Sequence, residues 1–128
     1  MSGSALRLAL ADDQALVRAG LRALLERLDL VVALEAEDGH ALLEAVAAQP
    51  VDVILSDVRM PGLDGIAMVH ALRGRGDPTP VLLLTTFDEA DLLLHAREAG
   101  AQGFLLKDAA PEQLQEAIRH VAAGGTLL

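Results

Sequence analysis

Short runs of apolar residues alternate along this chain with longer stretches in which leucine, isoleucine and valine return every three or four positions. The short runs fall at residues 6–11, 30–36, 53–57, 81–85 and 103–107. Residues 53–57 (Val-Ile-Leu-Ser-Asp) show no polar alternation, the pattern of a strand buried on both faces, and such strands belong to parallel sheets covered by helices. Between the runs, Leu16, Val17, Leu21, Leu24, Leu25 and Leu28 keep helical spacing, with Gly20 expected to let this first helix approach the sheet. Asp38 suits the cap of a helix to about residue 48, where Pro50 blocks extension. A third helix is expected over residues 64–73, and the Gly- and Pro-rich residues 74–80 read as a connector. Asp88 can cap a fourth helix to about Ala99, which Gly100 would close in the left-handed region. Pro111 fits the first position of a fifth helix that carries Leu114, Ile118 and Val121 on one face, although Ala110 is a poor cap. Strands alternating with helices predict an α/β fold, a doubly wound five-stranded parallel sheet with right-handed crossovers.

Composition narrows the function classes. The chain has 128 residues, 52% of them hydrophobic, which fits one domain with a full core. Cysteine is absent, which removes disulfides, thiol catalysis and thiolate metal sites. No apolar run is long enough to span a bilayer and the start has no secretory-signal pattern, so a cytoplasmic protein without membrane contact is expected. A formal net charge of −9 and two aromatic residues, both Phe, argue against nucleic-acid binding by this segment itself.

The candidate chemistry lies at the strand ends. Asp12 and Asp13 follow the first strand, Asp57 ends the third, Thr85 ends the fourth and Lys107 ends the fifth. In a parallel sheet all of these ends lie at one rim, and an order of 2-1-3-4-5 places strands one and three side by side at the switch point where ligands bind. Three carboxylates gathered there need a cation. An oxygen-only donor set without His or Cys suits Mg²⁺, and an ammonium with a hydroxyl beside it supplies donors for a phosphoryl group.

These residues, together with Met60-Pro61-Gly62, Asp64-Gly65 and Phe104, make the chain resemble the receiver domain of two-component response regulators. The likeness is to the LuxR-type (NarL/FixJ-like) branch, covers about residues 5–128, and implies the flavodoxin-like (βα)5 fold. It implies that Asp57 accepts a phosphoryl group from a sensor histidine kinase, and that Asp12, Asp13, Asp57 and the backbone carbonyl of Arg59 hold Mg²⁺. Lys107 would pair with the phosphoryl oxygens, Thr85 would move to bond them, and Phe104 would act as the switching aromatic residue. Lys107-Asp108 stands where other receivers have Lys-Pro, so no cis bond is expected there.

Residues 1–4 are small and polar and read as a disordered N-terminus, and the resemblance divides the rest into a receiver domain (5–123) and the start of a linker (124–128). A DNA-binding helix-turn-helix domain would follow, and phosphorylation would control homodimerisation and transcription through it. The role is that of a switch rather than an enzyme. A stand-alone receiver, a Mg²⁺-dependent aspartyl phosphotransfer hydrolase and a flavodoxin-like binding module are the alternatives, though no Gly-rich phosphate loop follows the first strand. His40, His70, His95 and His120 are scattered one per helix and read as surface residues. Leu92-Leu93-Leu94 cannot all face one core, so at least one should be exposed. Arg59 and Phe87 flank the site.

Overall fold

The computed structural model describes residues 5–86 and 90–128. Its elements run β1 (Arg7–Ala11), α1 (Ala15–Arg27), β2 (Val31–Ala36), α2 (Gly39–Ala48), β3 (Val53–Asp57), α3 (Gly65–Gly74), β4 (Val81–Thr85), α4 (Ala90–Ala99), β5 (Gly103–Leu106) and α5 (Pro111–Ala122). All strand pairs are parallel, in the order β2-β1-β3-β4-β5. The fold class and strand order are those expected. The disordered reading of residues 1–4, the Asp88 cap and Phe87 fall outside the described residues.

Because β3 and β4 are buried at every position, their side chains feed two cores of alternating parity. Ile54, Val81 and Leu83 pack with Leu42, Val46, Met68, Val69 and Leu72, which come from α2 and α3. Val53, Leu55, Leu82 and Leu84 pack with Leu25, Leu114, Ile118 and Val121, which come from α1 and α5. The helices therefore divide between the two faces of the sheet, and the strand ends meet water only at the rims.

Local chemistry sets the helix starts. Asp38 Oδ1 accepts the Ala41 N–H and Asp64 Oδ1 accepts the Ala67 N–H, each at 2.8 Å. α5 lacks a capping side chain at Ala110, but Gln113 Oε1 accepts the Ala110 N–H at 3.1 Å, half of a capping box that Ala110 alone does not signal. Gly100 closes α4 at φ +102°. No cis peptide bond occurs among the described residues.

Two expectations for α1 need correction. Gly20 is exposed, and a methyl group placed on it would meet nothing within 4 Å, so it does not mediate close packing. Leu16 is 86% exposed, and Leu25 is the fully buried anchor of α1 instead. Close approach is needed at Gly39 and Gly65. A Cβ on Gly39 would lie 2.5 Å from the Leu63 carbonyl oxygen, and one on Gly65 would lie 2.3 Å from the Asp57 carbonyl oxygen.

The histidines are all exposed, as expected. Of the three adjacent leucines, Leu92 packs against the core while Leu93 and Leu94 are exposed. Gly124–Leu128 fold back on the domain. The Gly125 N–H bonds to the His120 carbonyl at 2.9 Å, and the Leu127 N–H bonds to the Gln102 carbonyl at 2.7 Å, so Leu127 forms a parallel bridge with Gly103 on the edge of β5.

Candidate functional site

The site lies at the carboxyl ends of β1, β3 and β4, where the order of strand addition reverses between β1 and β3. Asp57 is the last residue of β3. Gly65 lets α3 begin directly against it, with the Gly65 N–H bonded to the Val58 carbonyl at 2.9 Å. Asp12 follows β1, and its N–H bonds to the Ala36 carbonyl at 3.1 Å, continuing the β1–β2 ladder by one rung.

One carboxylate oxygen each from Asp12, Asp13 and Asp57 lies within 4.8 Å of the others. Two unit charges at such a separation repel by roughly 3–4 kcal/mol at an effective dielectric near 20, and by less where solvent reaches them, as it does at Asp13. Asp12 is 1% exposed and Asp57 9%. Lys107 offsets part of this repulsion, with Nζ donating to Asp12 Oδ2 and Asp57 Oδ2 at 2.9 Å each. Burial disfavours the Lys107 ammonium, but its hydrogen bonds to Asp57 and Asp12 and their charges outweigh that cost and hold its pKa above the ordinary lysine value.

Three carboxylates against one ammonium leave a formal charge of minus two. The donor set is hard oxygen throughout, is partly open to solvent at Asp13, and suits a divalent cation that keeps several waters. The residues present fit Mg²⁺.

The remaining expected residues sit as follows. Thr85 is buried at the end of β4, and its carbonyl accepts the Lys107 N–H at 2.7 Å, which joins the two residues across neighbouring strands. The Arg59 N–H lies 3.3 Å from Asp57 Oδ1, so the chain turns over the aspartate. Asp13, Asp57, Arg59, Thr85 and Lys107, with Gln14 and Thr86, line one pocket of about 240 Å³. Phe104 does not line it. It is partly buried on the α2–α4 face of β5 and borders a separate hollow of about 460 Å³ with Leu93, Leu106 and Leu127. Leu83 pairs with Phe104, and Thr85 lies two residues on from Leu83, so Thr85 and Phe104 occupy the same sheet face.

Sequence patterning alone missed two contributors. The Gln14 N–H bonds to Asp12 Oδ1 at 2.9 Å, and Arg18 Nη1 donates to the Asp12 carbonyl at 2.6 Å. The only signal for Arg18 was its place one turn into the helix that follows the acidic pair.

With this geometry in view, comparison with known proteins is direct. The family model of the response regulator receiver domain matches residues 8–119. An uncharacterized transcriptional regulatory protein of Bacillus subtilis, YxjL, is 42% identical over 97% of this chain and 57% of its own length. The nitrate/nitrite response regulator NarP of Escherichia coli is 42% identical over 88% of this chain and 53% of its own. The signal receiver domain of the putative response regulator NarL from Mycobacterium tuberculosis superposes with a TM-score of 0.88 at 40% identity, covering 95% of this chain and 99% of that one. The chain thus spans about half the length of the curated relatives it matches. It belongs to the response regulator receiver domain family, and its relatives there are NarL- and NarP-type regulators.

Proposed function

We propose that Asp57 accepts a phosphoryl group from a phosphohistidine of a sensor kinase and that the domain thereby switches its surface. The observation that carries this reading is Lys107 Nζ placed 2.9 Å from both Asp57 and Asp12, within a cluster of three carboxylates of which Asp13 and Asp57 line the same pocket as Lys107. Receiver domains are phosphoacceptor switches rather than enzymes of a metabolic kind. In the transfer, a carboxylate oxygen of Asp57 attacks phosphorus, the P–N bond to the imidazole breaks with its electron pair, and a proton completes the departing histidine. The product is an acyl phosphate on Asp57.

Asp12, Asp13, Asp57 and the carbonyl of Arg59 would hold Mg²⁺, which when bound supplies positive charge for the phosphoryl oxygens. Lys107 supplies a second cation there, and it exchanges its bond with Asp57 for one with the incoming group. Thr85 donates its hydroxyl to a phosphoryl oxygen. Phe104, one rung away on the same face, repacks as Thr85 moves, which carries the change to the α4–β5–α5 surface. A switch from about 1:99 to 99:1 needs roughly 5.5 kcal/mol of preference for the active arrangement, which several charge-assisted bonds can supply.

In the whole protein the changed surface would control homodimerisation and DNA binding by a helix-turn-helix domain beyond a linker that starts at residues 124–128. The regulator would act in the cytoplasm. The described residues contain no helix long and apolar enough to cross a membrane.

The test is loading by a small phosphodonor with Mg²⁺, read by intact mass. The parent should gain one phosphoryl group and Asp57→Asn none; a loaded Asp57→Asn variant would show that another residue is the nucleophile. Thr85→Ala should still load but lose activation-dependent dimerisation.

A further inference from the structure

The phosphoryl-transfer scheme leaves one strong bond at the site without a role. Arg18 Nη1 donates to the main-chain carbonyl of Asp12 at 2.6 Å, the shortest contact that Asp12 makes among those described. Every other polar group of Asp12 is also engaged. Its N–H goes to the Ala36 carbonyl, Oδ1 accepts the Gln14 N–H and Oδ2 accepts Lys107. With Asp12 1% exposed, bulk water does not readily replace any of these partners.

We infer that Arg18 is a positioning residue for the metal-binding carboxylates, fixing the peptide plane that joins Asp12 to Asp13. This rests on the reading above that the two acids hold a divalent cation. The Asp12 carbonyl and the Asp13 N–H belong to one rigid amide, so a bond that fixes the oxygen also fixes the Cα from which the Asp13 side chain departs. Asp13 is exposed and has no comparable side-chain anchor of its own among the described bonds, and its direction is set through this plane.

Arg18 is itself held. Its Nε lies 3.2 Å from Glu35 Oε1 on β2, its side chain is 19% exposed, and Glu35 is shared with Arg22. A guanidinium carries several donors in a planar fork and can bond a carbonyl with one edge and a carboxylate with another. The ammonium of a lysine is a single point on a flexible stem. Partners that orient metal-binding carboxylates typically change metal affinity by 10–100-fold when removed.

The experiment measures Mg²⁺ affinity by calorimetric titration of the parent, Arg18→Lys, Arg18→Ala and Glu35→Gln proteins. Denaturant stability is measured on the same samples in EDTA. Arg18→Lys should bind Mg²⁺ about tenfold more weakly than the parent, Arg18→Ala more weakly still, and Glu35→Gln between parent and Arg18→Lys. If Arg18→Ala does not fold, the other two variants carry the measurement. Folded variants that lose stability in EDTA yet bind Mg²⁺ as tightly as the parent would show a purely structural bond and overturn the inference. A parent that takes up no Mg²⁺ would overturn the metal-binding reading itself, and this inference with it.

Discussion

The two ends of the sheet handle buried charge in opposite ways. At the carboxyl rim, Asp12 and Asp57 share one ammonium with Asp13 beside them, and the cluster keeps a formal charge of minus two beside an open pocket. At the other rim, the Arg73 guanidinium is surrounded by oxygens. It donates to the Gly100 carbonyl from Nε and Nη2 at 3.1 and 3.0 Å, to the Asp77 and Thr79 carbonyls at 2.8 and 2.9 Å, and to Gln102 Oε1 at 2.8 Å. Gln102 Oε1 also accepts the Val81 N–H. One side chain thus ties the end of α3 to the loops before β4 and β5. The difference separates a stabilising strut, where every donor has a partner, from the candidate site, where negative charge is left over.

The largest test of this contrast is Arg73→Ala. It would strip the partners from several loop carbonyls at once, and we expect a loss of about 2–4 kcal/mol in denaturant unfolding with phosphoryl loading unchanged. Equal loss of loading and stability would mean that the two rims are not independent. Gly65→Ala should behave in the reverse sense. A Cβ 2.3 Å from the Asp57 carbonyl oxygen forces the β3–α3 turn outward, costing about 1–3 kcal/mol and displacing Asp57, so loading should fall more than stability does. Loading kinetics and denaturant melts on one preparation separate the two effects.

Removing a charge from the crowded rim should stabilise the metal-free protein. Asp13→Asn is expected to gain roughly 0.5–1 kcal/mol in EDTA and to show little of the Mg²⁺-dependent rise in melting temperature expected of the parent. An Asp13→Asn protein that is less stable in EDTA would mean that the carboxylate makes a stabilising contact instead.

The smallest effects are those of pH, and they have opposite signs at the two rims. The Lys107 pKa is raised in the folded state, so its contribution is complete below the ordinary lysine value of about 10.4 and is lost as pH rises through the folded value. Asp77 is buried enough to be pushed up, but bonds from the Thr79 hydroxyl and N–H and the nearby Arg75 and Arg73 charges win and hold its carboxyl below its usual value. Its contribution is therefore complete above about pH 3.9 and is lost as pH falls through the folded value. Lys107→Met should flatten the alkaline limb of a stability profile and Asp77→Asn the acid limb, each leaving the other limb in place.

Much of this architecture is legible in the sequence because it follows from local pattern. Unbroken apolar runs give the buried strands, and an acidic residue at the end of such a run is placed on the rim by topology alone. Asp38 could be read as a cap from the helix that follows it. What was not legible depends on contacts between distant elements. Gly20 and Gly65 look alike in sequence, but only Gly65 meets another backbone. Arg73 and Arg18 carry no pattern that marks them, since the partners that they bind include a loop 27 residues away in one case and the residue after a strand end in the other. Leu127 gave no sign of its bridge to β5, because a lone edge pairing has no period to detect.

The central claim is that Asp57, and no other carboxylate of the cluster, becomes the acyl phosphate. Borohydride reduction after loading with a small phosphodonor and Mg²⁺, followed by peptide sequencing, tests it most directly, because reduction converts a phosphorylated aspartate to homoserine. The account predicts homoserine at position 57 alone. Homoserine at position 12 or 13, or its absence from a fully loaded sample, would contradict it.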